Sequence, residues 1–327
     1  MPHFVEFPNL GWKFGIDTDI HLFGDFSIKW YGLLIAIGFL LAILYGLKRA
    51  EEFGINPDKM IDVALLTVPV AFIGARLYYV FFSDSTAEYL ADPISIIKVW
   101  EGGLGIYGGI IVAFLFGPLM CKLCKVKIWA MFDLTALGFL IGQGIGRWGN
   151  FFNQEAFGGN TDLPWAMTGD IIQAGYNGSG YDTSLPVHPT FLYESLLCLV
   201  GFVLLHILSK KVRRFDGMLF CSYLMWYGTG RFFIESLRTD SLMAGTLRTS
   251  QLVAIIAVAL GAALFFILRR YAISLPKTLT VEGTEIEEVE EDESESEYES
   301  ECEEASNEDA EDTDVTETEE ETDGTAD

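Results

Sequence analysis

An all-α polytopic membrane protein, with about seven crossing helices and an acidic tail, is the fold class this chain predicts. Three observations carry it. Half of the 327 residues are hydrophobic and mean hydropathy is positive, which is too apolar for a soluble domain with a formal charge of −25. That charge is concentrated: 25 of the 46 acids lie from residue 282 onward, where there is no Lys or Arg. The first 281 residues are left with 21 acids against all 21 bases, a neutral, greasy body. Within it, apolar runs of about twenty residues recur, each long enough at ~1.5 Å per residue to cross a ~30 Å hydrocarbon core.

Taken in order, residues 1–27 carry Glu6, Asp17, Asp19, His21 and Asp25, with no basic stretch ahead of an apolar one, so they do not read as a secretory signal. Seven spans follow at about 30–47, 60–82, 104–120, 128–145, 189–208, 217–234 and 251–268. Thirteen of the 21 bases fall in the loops after the first, third, fifth and seventh spans, and six in the opposite segments. The positive-inside rule then puts the N-terminus outside and the C-terminus in the cytoplasm. Residues 147–188 are too polar to cross and form an extracytoplasmic cap segment, with room for short strands. The membrane domain is expected over 1–280. Residues 281–327, mostly Glu, Asp, Ser and Thr, cannot bury a core and are expected to be a disordered cytoplasmic tail. No internal repeat is visible, which speaks against an inverted-repeat transporter.

Chemistry is expected where the fourth span ends. Residues 146–158 read GRWGNFFNQEAFG and pack Arg147, Asn150, Asn153, Gln154 and Glu155 into nine positions. An apolar helix does not end with so many hydrogen-bonding groups unless something polar sits there. An ionisable side chain inside a span costs roughly 2.5–3.5 kcal/mol on insertion scales, so each is a functional candidate. The sixth span carries Tyr227, Arg231 and Glu235 at i, i+4 and i+8, on one helical face, followed by Arg238. An Arg–Glu pair that neutralises itself and locks helix packing is the structural alternative. Arg76 lies in the outer half of the second span, placed either to snorkel to the interface or to contact a ligand. The run Gly102-Gly103-Leu104-Gly105-Ile106-Tyr107-Gly108-Gly109 permits close backbone approach or a broken helix start. Tyr31 opens the first span, as interfacial anchor or lipid contact, and His188 stands at the outer mouth of the fifth.

Two motifs are set aside. Cys121-x-x-Cys124 has no second pair and does not make a zinc site. Gly144-x-Gly146-x-x-Gly149 matches the dinucleotide fingerprint but follows a membrane span, not a strand. Its glycines are expected to allow close helix packing and an unwound helix end.

The 146–158 motif closely resembles that of prolipoprotein diacylglyceryl transferases. Weaker matches follow in the same order along residues 1–275: Trp30-Tyr31-Gly32, Arg76, the 102–109 glycines, His188-Pro189-Thr190-x-x-Tyr193-Glu194 and Tyr227-Gly-x-x-Arg231-Phe-x-x-Glu235. One departure is Tyr107, where the family usually has His. The resemblance implies a bacterial plasma-membrane enzyme that moves the diacylglyceryl group of phosphatidylglycerol onto the lipobox cysteine of a preprolipoprotein. A thioether forms and glycerol 1-phosphate leaves, the first step of lipoprotein maturation. Position by position, it points to Arg147, Asn150, Glu155, Gly158, Tyr227, Arg231 and Glu235.

On this reading Arg147 and Arg231 hold the lipid phosphate, Glu155 and Glu235 orient them by ion pairing, and Tyr31, Arg76, Asn150, Gly158 and Tyr227 contact substrate. The thiol's proton acceptor stays open among His188, Tyr107, Glu155 and water. The implied partners are phosphatidylglycerol, lipobox peptides and the bilayer. No nucleic acid, cofactor or metal is implied. Two rivals are weighed against this: a secondary transporter for an anionic solute, and a seven-helix binding protein without turnover. The polar groups cluster at outer span ends, whereas a transporter needs access from both faces.

Overall fold

The computed structural model describes residues 3–23, 26–83, 86–99, 102–175, 180–240, 243–244 and 247–271. The acidic tail expected to be disordered lies outside the described residues. The strands are β1 (His3–Phe7), β2 (Trp12–Ile16), β3 (Asp19–Phe23), β4 (Phe26–Lys29), β5 (Thr168–Gly169), β6 (Met243–Ala244) and β7 (Leu247–Arg248). The helices are α1 (Trp30–Arg49), α2 (Pro57–Phe82), α3 (Thr86–Ala91), α4 (Ile106–Leu123), α5 (Ile128–Asn153), α6 (Asp170–Ala174), α7 (Thr190–Lys211), α8 (Met218–Leu237) and α9 (Thr249–Tyr271). All but α3 and α6 coincide with the seven expected spans.

Six of those seven are apolar enough to cross a bilayer by composition; α8 falls outside that set. The reason is local: α8 carries Tyr223, Tyr227, Arg231 and Glu235, so its mean hydropathy drops where its polar stripe faces other helices. Helix starts follow ordinary capping chemistry. Asn56 Oδ1 accepts from the amides of Asp58 at 2.9 Å and Lys59 at 3.2 Å, with Pro57 in the first turn of α2. The fourth span runs further than expected. α5 stays helical to Asn153, because Arg147 and Asn150 find partners within the protein and no backbone bond has to be given up. The glycines at 144, 146 and 149 therefore sit in continuous helix, and the expected unwound end does not occur.

α1 packs chiefly on α5, α2 on α4, α8 on α9, and α7 against α5 and α8. At the base-rich end the core gathers Phe53, Leu134, Leu137, Leu219 and Phe220. Two buried ions hold this end together. Asp133 of α5, fully buried, accepts from the amides of Gly217, Leu219 and Phe220 at 2.8–2.9 Å and from Arg213 Nε at 3.1 Å, so one helix caps the start of another. Arg49, also buried, reaches Tyr45 Oη at 2.7 Å, Ser209 Oγ at 3.0 Å and Glu52 at 2.8 Å.

The opposite end carries a small sheet of order β2-β1-β5; the sequence leaves room for short strands in the cap segment, which holds β5, whereas β1 and β2 come from residues 3–16. Val5, Phe7 and Ile16 cover Phe151, Phe157, Met167 and Ile172. Gln154 fastens this layer to the bundle. It ends α5 in a left-handed conformation (φ 48°), and its buried side chain donates to Phe4 O at 3.1 Å and Asp170 Oδ1 at 2.9 Å. Its Oε1 accepts from the Ile171 amide at 3.0 Å.

Candidate functional site

The site is built where α5, α7 and α8 meet, on the side of the bundle away from Asp133. Arg147 stands on α5 one turn before Asn150. Tyr227, Arg231 and Glu235 form the stripe on α8. The piece that joins them is Glu194, one turn into α7 and almost wholly buried. Arg147 Nη2 lies 2.6 Å from Glu194 Oε1, and Arg231 Nη1 lies 2.6 Å from Oε2. Tyr227 Oη donates to Oε1 at 2.7 Å. Two guanidinium groups from segments far apart in the chain thus share one carboxylate. Arg231 Nη2 also pairs with Glu235 Oε2 at 2.6 Å, and Arg238 Nε lies 3.9 Å from the same oxygen.

A guanidinium has five N–H donors, and neither arginine is sealed off: their side chains remain 24% and 14% exposed. Arg147 Nη1 makes a long contact, 3.4 Å, to Asn150 Oδ1. Both arginines are therefore held rigidly on one side by carboxylates while retaining donors for an incoming anion, the arrangement that suits a phosphate. Tyr31, at the start of α1, lies within electrostatic reach of Arg147 and Glu155. Its ring lies against the helix at Gly149, where a Cβ would sit 2.3 Å from Tyr31 Cδ2. That glycine is what lets α1 bring an aromatic wall up to the arginine.

Other expected residues are placed differently. Glu155 does not pair with an arginine directly. Its Oε1 accepts from Asn150 Nδ2 at 2.9 Å and Asn153 Nδ2 at 3.1 Å, so it acts on Arg147 only through Asn150. Arg76 is turned away from ligand duty. Its guanidinium donates to the carbonyls of Ser95, Ile96, Gly102 and Gly103 at 2.6–2.9 Å, fixing the loop ahead of α4. The charge is compensated by carbonyl dipoles, which is why it tolerates 5% exposure. Tyr107 lies on the first turn of α4, 38% exposed, with its ring 6.3 Å from Tyr78. Among the described residues no hydrogen bond joins it to the arginine cluster.

Gly158 and His188 form a structural seam. Gly158 N donates to His188 O at 2.9 Å, and the next amide, Gly159, donates to Leu237 O at 2.9 Å. A Cβ on Gly158 would come within 2.8 Å of both His188 Cβ and Leu237 O, so only glycine lets the three segments close. The His188 ring faces Tyr193 Oη at 3.1 Å, and Tyr193 in turn accepts from Trp165 Nε1 at 2.8 Å. Burial pushes the imidazole pKa down from its ordinary value.

Glu194, quoted in the sequence only as the end of a matched motif, is the residue to which sequence reasoning gave no role. Its signal was present: an acid one turn into an otherwise apolar span, four residues after the His-Pro-Thr run. No group of His, Cys, Asp and Glu suited to hold a metal occurs among the described residues.

Comparison with known proteins bears on this geometry. A family model described as prolipoprotein diacylglyceryl transferase matches residues 18–267. A phosphatidylglycerol–prolipoprotein diacylglyceryl transferase of Bacillus cytotoxicus is 43% identical over 252 residues, covering 77% of this chain and 91% of the relative. One from Limosilactobacillus reuteri is 42% identical over 268 residues, covering 80% and 94%. A third, from Bacillus cereus, is 42% identical over 247 residues, covering 76% and 90%. With most of the chain matched on both measures, from the β3 hairpin through α9, the protein belongs to the prolipoprotein diacylglyceryl transferase family.

Proposed function

We propose that this protein transfers the diacylglyceryl group of phosphatidylglycerol to the cysteine thiol of a prolipoprotein. The observation that carries the reading is the pair of guanidinium groups, Arg147 and Arg231, on the two oxygens of buried Glu194. The lipid phosphate docks on their outward donors, and Asn150 takes a phosphate oxygen or headgroup hydroxyl. The cysteine sulfur attacks the glyceryl carbon that bears the phosphoester. The S–C bond forms as the C–O bond breaks, the thiol proton passes to a base, and glycerol 1-phosphate leaves. Negative charge on the departing phosphate grows along this path, so arginines already in place stabilise the transition state more than the ground state.

Glu194 and Glu235 keep the two cations from separating, and Glu155 steadies Asn150. The lipobox peptide approaches from the cap side, since the site lies beneath the β2-β1-β5 layer. With 13 of 21 bases in the loops at the far end, the site belongs to the extracytoplasmic side and residues 281–327 to the cytoplasm. The decisive experiment uses vesicles with labelled phosphatidylglycerol and a lipobox peptide. Arg147→Ala and Arg231→Ala each abolish transfer while the protein still inserts, and Arg231→Lys recovers part of it. Full activity in both alanine variants overturns the phosphate-clamp account. Absence of any labelled thioether with the unaltered protein overturns the transferase reading itself.

A further inference from the structure

One helical turn below the arginines, toward the membrane interior, a second polar pair spans α5 and α8. Gln143 Nε2 donates to Tyr223 Oη at 3.0 Å, and Tyr223 Oη lies 3.3 Å from Gln143 Oε1. Tyr223 stacks on Tyr227 with ring centroids 5.7 Å apart and planes 12° from parallel, so this pair continues directly from the site. Tyr223 is buried, whereas Gln143 is partly exposed. The Gln143 amide has two N–H donors; one goes to Tyr223, and the other finds no acceptor among the described residues. In the apolar part of a bilayer an N–H without an acceptor is costly, so a donor kept there marks a site for a carbonyl.

The order of side chains along α5 strengthens the point. Phe139, Gln143 and Arg147 follow at i, i+4 and i+8, one face of the helix. Phe139 is 40% exposed and packs its ring 6.0 Å from that of Tyr223. Descending the face, a cation gives way to an amide and then to an exposed aromatic ring, at steps of about 6 Å. A diacyl phospholipid has the same order: phosphate, ester carbonyl, acyl chain. Between its phosphorus and the nearer ester carbonyl lie an oxygen, two glycerol carbons and another oxygen, which when extended reach about one helical turn.

We propose that Gln143, held in register by Tyr223, donates its second amide N–H to an ester carbonyl of the diacylglyceryl donor, so that the enzyme distinguishes ester-linked from ether-linked lipid. The inference rests on the transferase reading above. The test compares transfer to a lipobox peptide from dioleoyl phosphatidylglycerol and from its dialkyl ether counterpart, each in vesicles of otherwise equal composition. One hydrogen bond predicts a preference of about three- to tenfold for the diester in kcat/KM. Gln143→Met removes the amide while keeping an unbranched chain. It brings the diester rate down to the ether rate and leaves the ether rate unchanged. Tyr223→Phe, which keeps Gln143 but releases it, narrows the preference without removing it. Equal use of both lipids by the unaltered enzyme overturns the assignment without any variant having to fold. So does an equal loss on both lipids in Gln143→Met, which reduces the pair to helix packing. Failure of transfer from both lipids instead condemns the transferase reading, so the two failures are distinguishable.

Discussion

Removing the charge of Glu194 is the sharpest perturbation the site offers. Its two oxygens each hold an arginine nitrogen at 2.6 Å. The two positive groups then lie on the order of 5–7 Å apart, and at an effective dielectric near 20 their mutual repulsion is roughly 2.5–3.5 kcal/mol. In Glu194→Gln the amide still accepts from one arginine but turns an N–H toward the other, so the repulsion is no longer offset. Breaking one partner out of a buried ion network costs about 3–5 kcal/mol, part of which is recovered as the arginines swing toward solvent. Thermal unfolding in detergent should therefore shift to lower temperature. KM for phosphatidylglycerol should rise at least tenfold, equivalent to about 1.4 kcal/mol of lost headgroup binding. Glu194→Asp keeps the charge but withdraws it by one methylene, so it reaches only one arginine and recovers part of both losses. A purely structural carboxylate moves the melting temperature alone. Glu194→Gln with unchanged KM, measured in mixed vesicles with a lipobox peptide, refutes the reasoning.

Other perturbations test the surroundings. Gly149→Val places a side chain where Tyr31 Cδ2 now lies 2.3 Å from the ideal Cβ; overpacking costs typically 1–3 kcal/mol, and transfer should fall together with stability. Arg76→Lys cannot serve four carbonyls, so limited proteolysis should open residues 92–105 while affinity for phosphatidylglycerol changes little. Burial alone would raise the Asp170 carboxyl, but hydrogen bonds from Gln154, His3 and the Phe4 amide outweigh it and hold it down to about 2. That lowered value makes its stabilisation of β1 complete above the usual carboxylate range and lost as pH falls through about 2. Hydrogen exchange at residues 3–7 should follow that course, and Asp170→Asn should expose the strand already at neutral pH.

The greasy part of the architecture was legible because a span is a local property: seven apolar runs gave seven long helices, with ends misjudged by a few residues. The exception teaches most. Arg147 looks like a loop residue when weighed for polarity alone, yet α5 carries it because α7 supplies Glu194, while Asn150 finds its partner, Glu155, only five residues on. Partners from distant segments do not register in a local window. The same limit hid the role of Glu194, which reads as an ordinary interfacial acid until two arginines arrive from elsewhere. Arg76 shows the reverse case. The sequence marks Arg76 as a cation inside a span, but backbone carbonyls of a loop carry no mark in the sequence that could have claimed it. The N-terminal strands were missed because each is only four or five residues long, and β5, which pairs with β1 from the cap segment, is only two.

That sheet has a consequence for how the protein is made. β1 is synthesised well before its anchors, Gln154 and Asp170: His3 meets Asp170 across 167 positions. Until the ribosome has delivered four long helices to the bilayer, β1 has only β2 to pair with, and an isolated hairpin is marginal in water. Assembly of this layer therefore depends on contacts of very long sequence separation, the kind that forms slowly. β1 thus serves as a late clasp, closing only on a bundle whose α5 has already been threaded to its end.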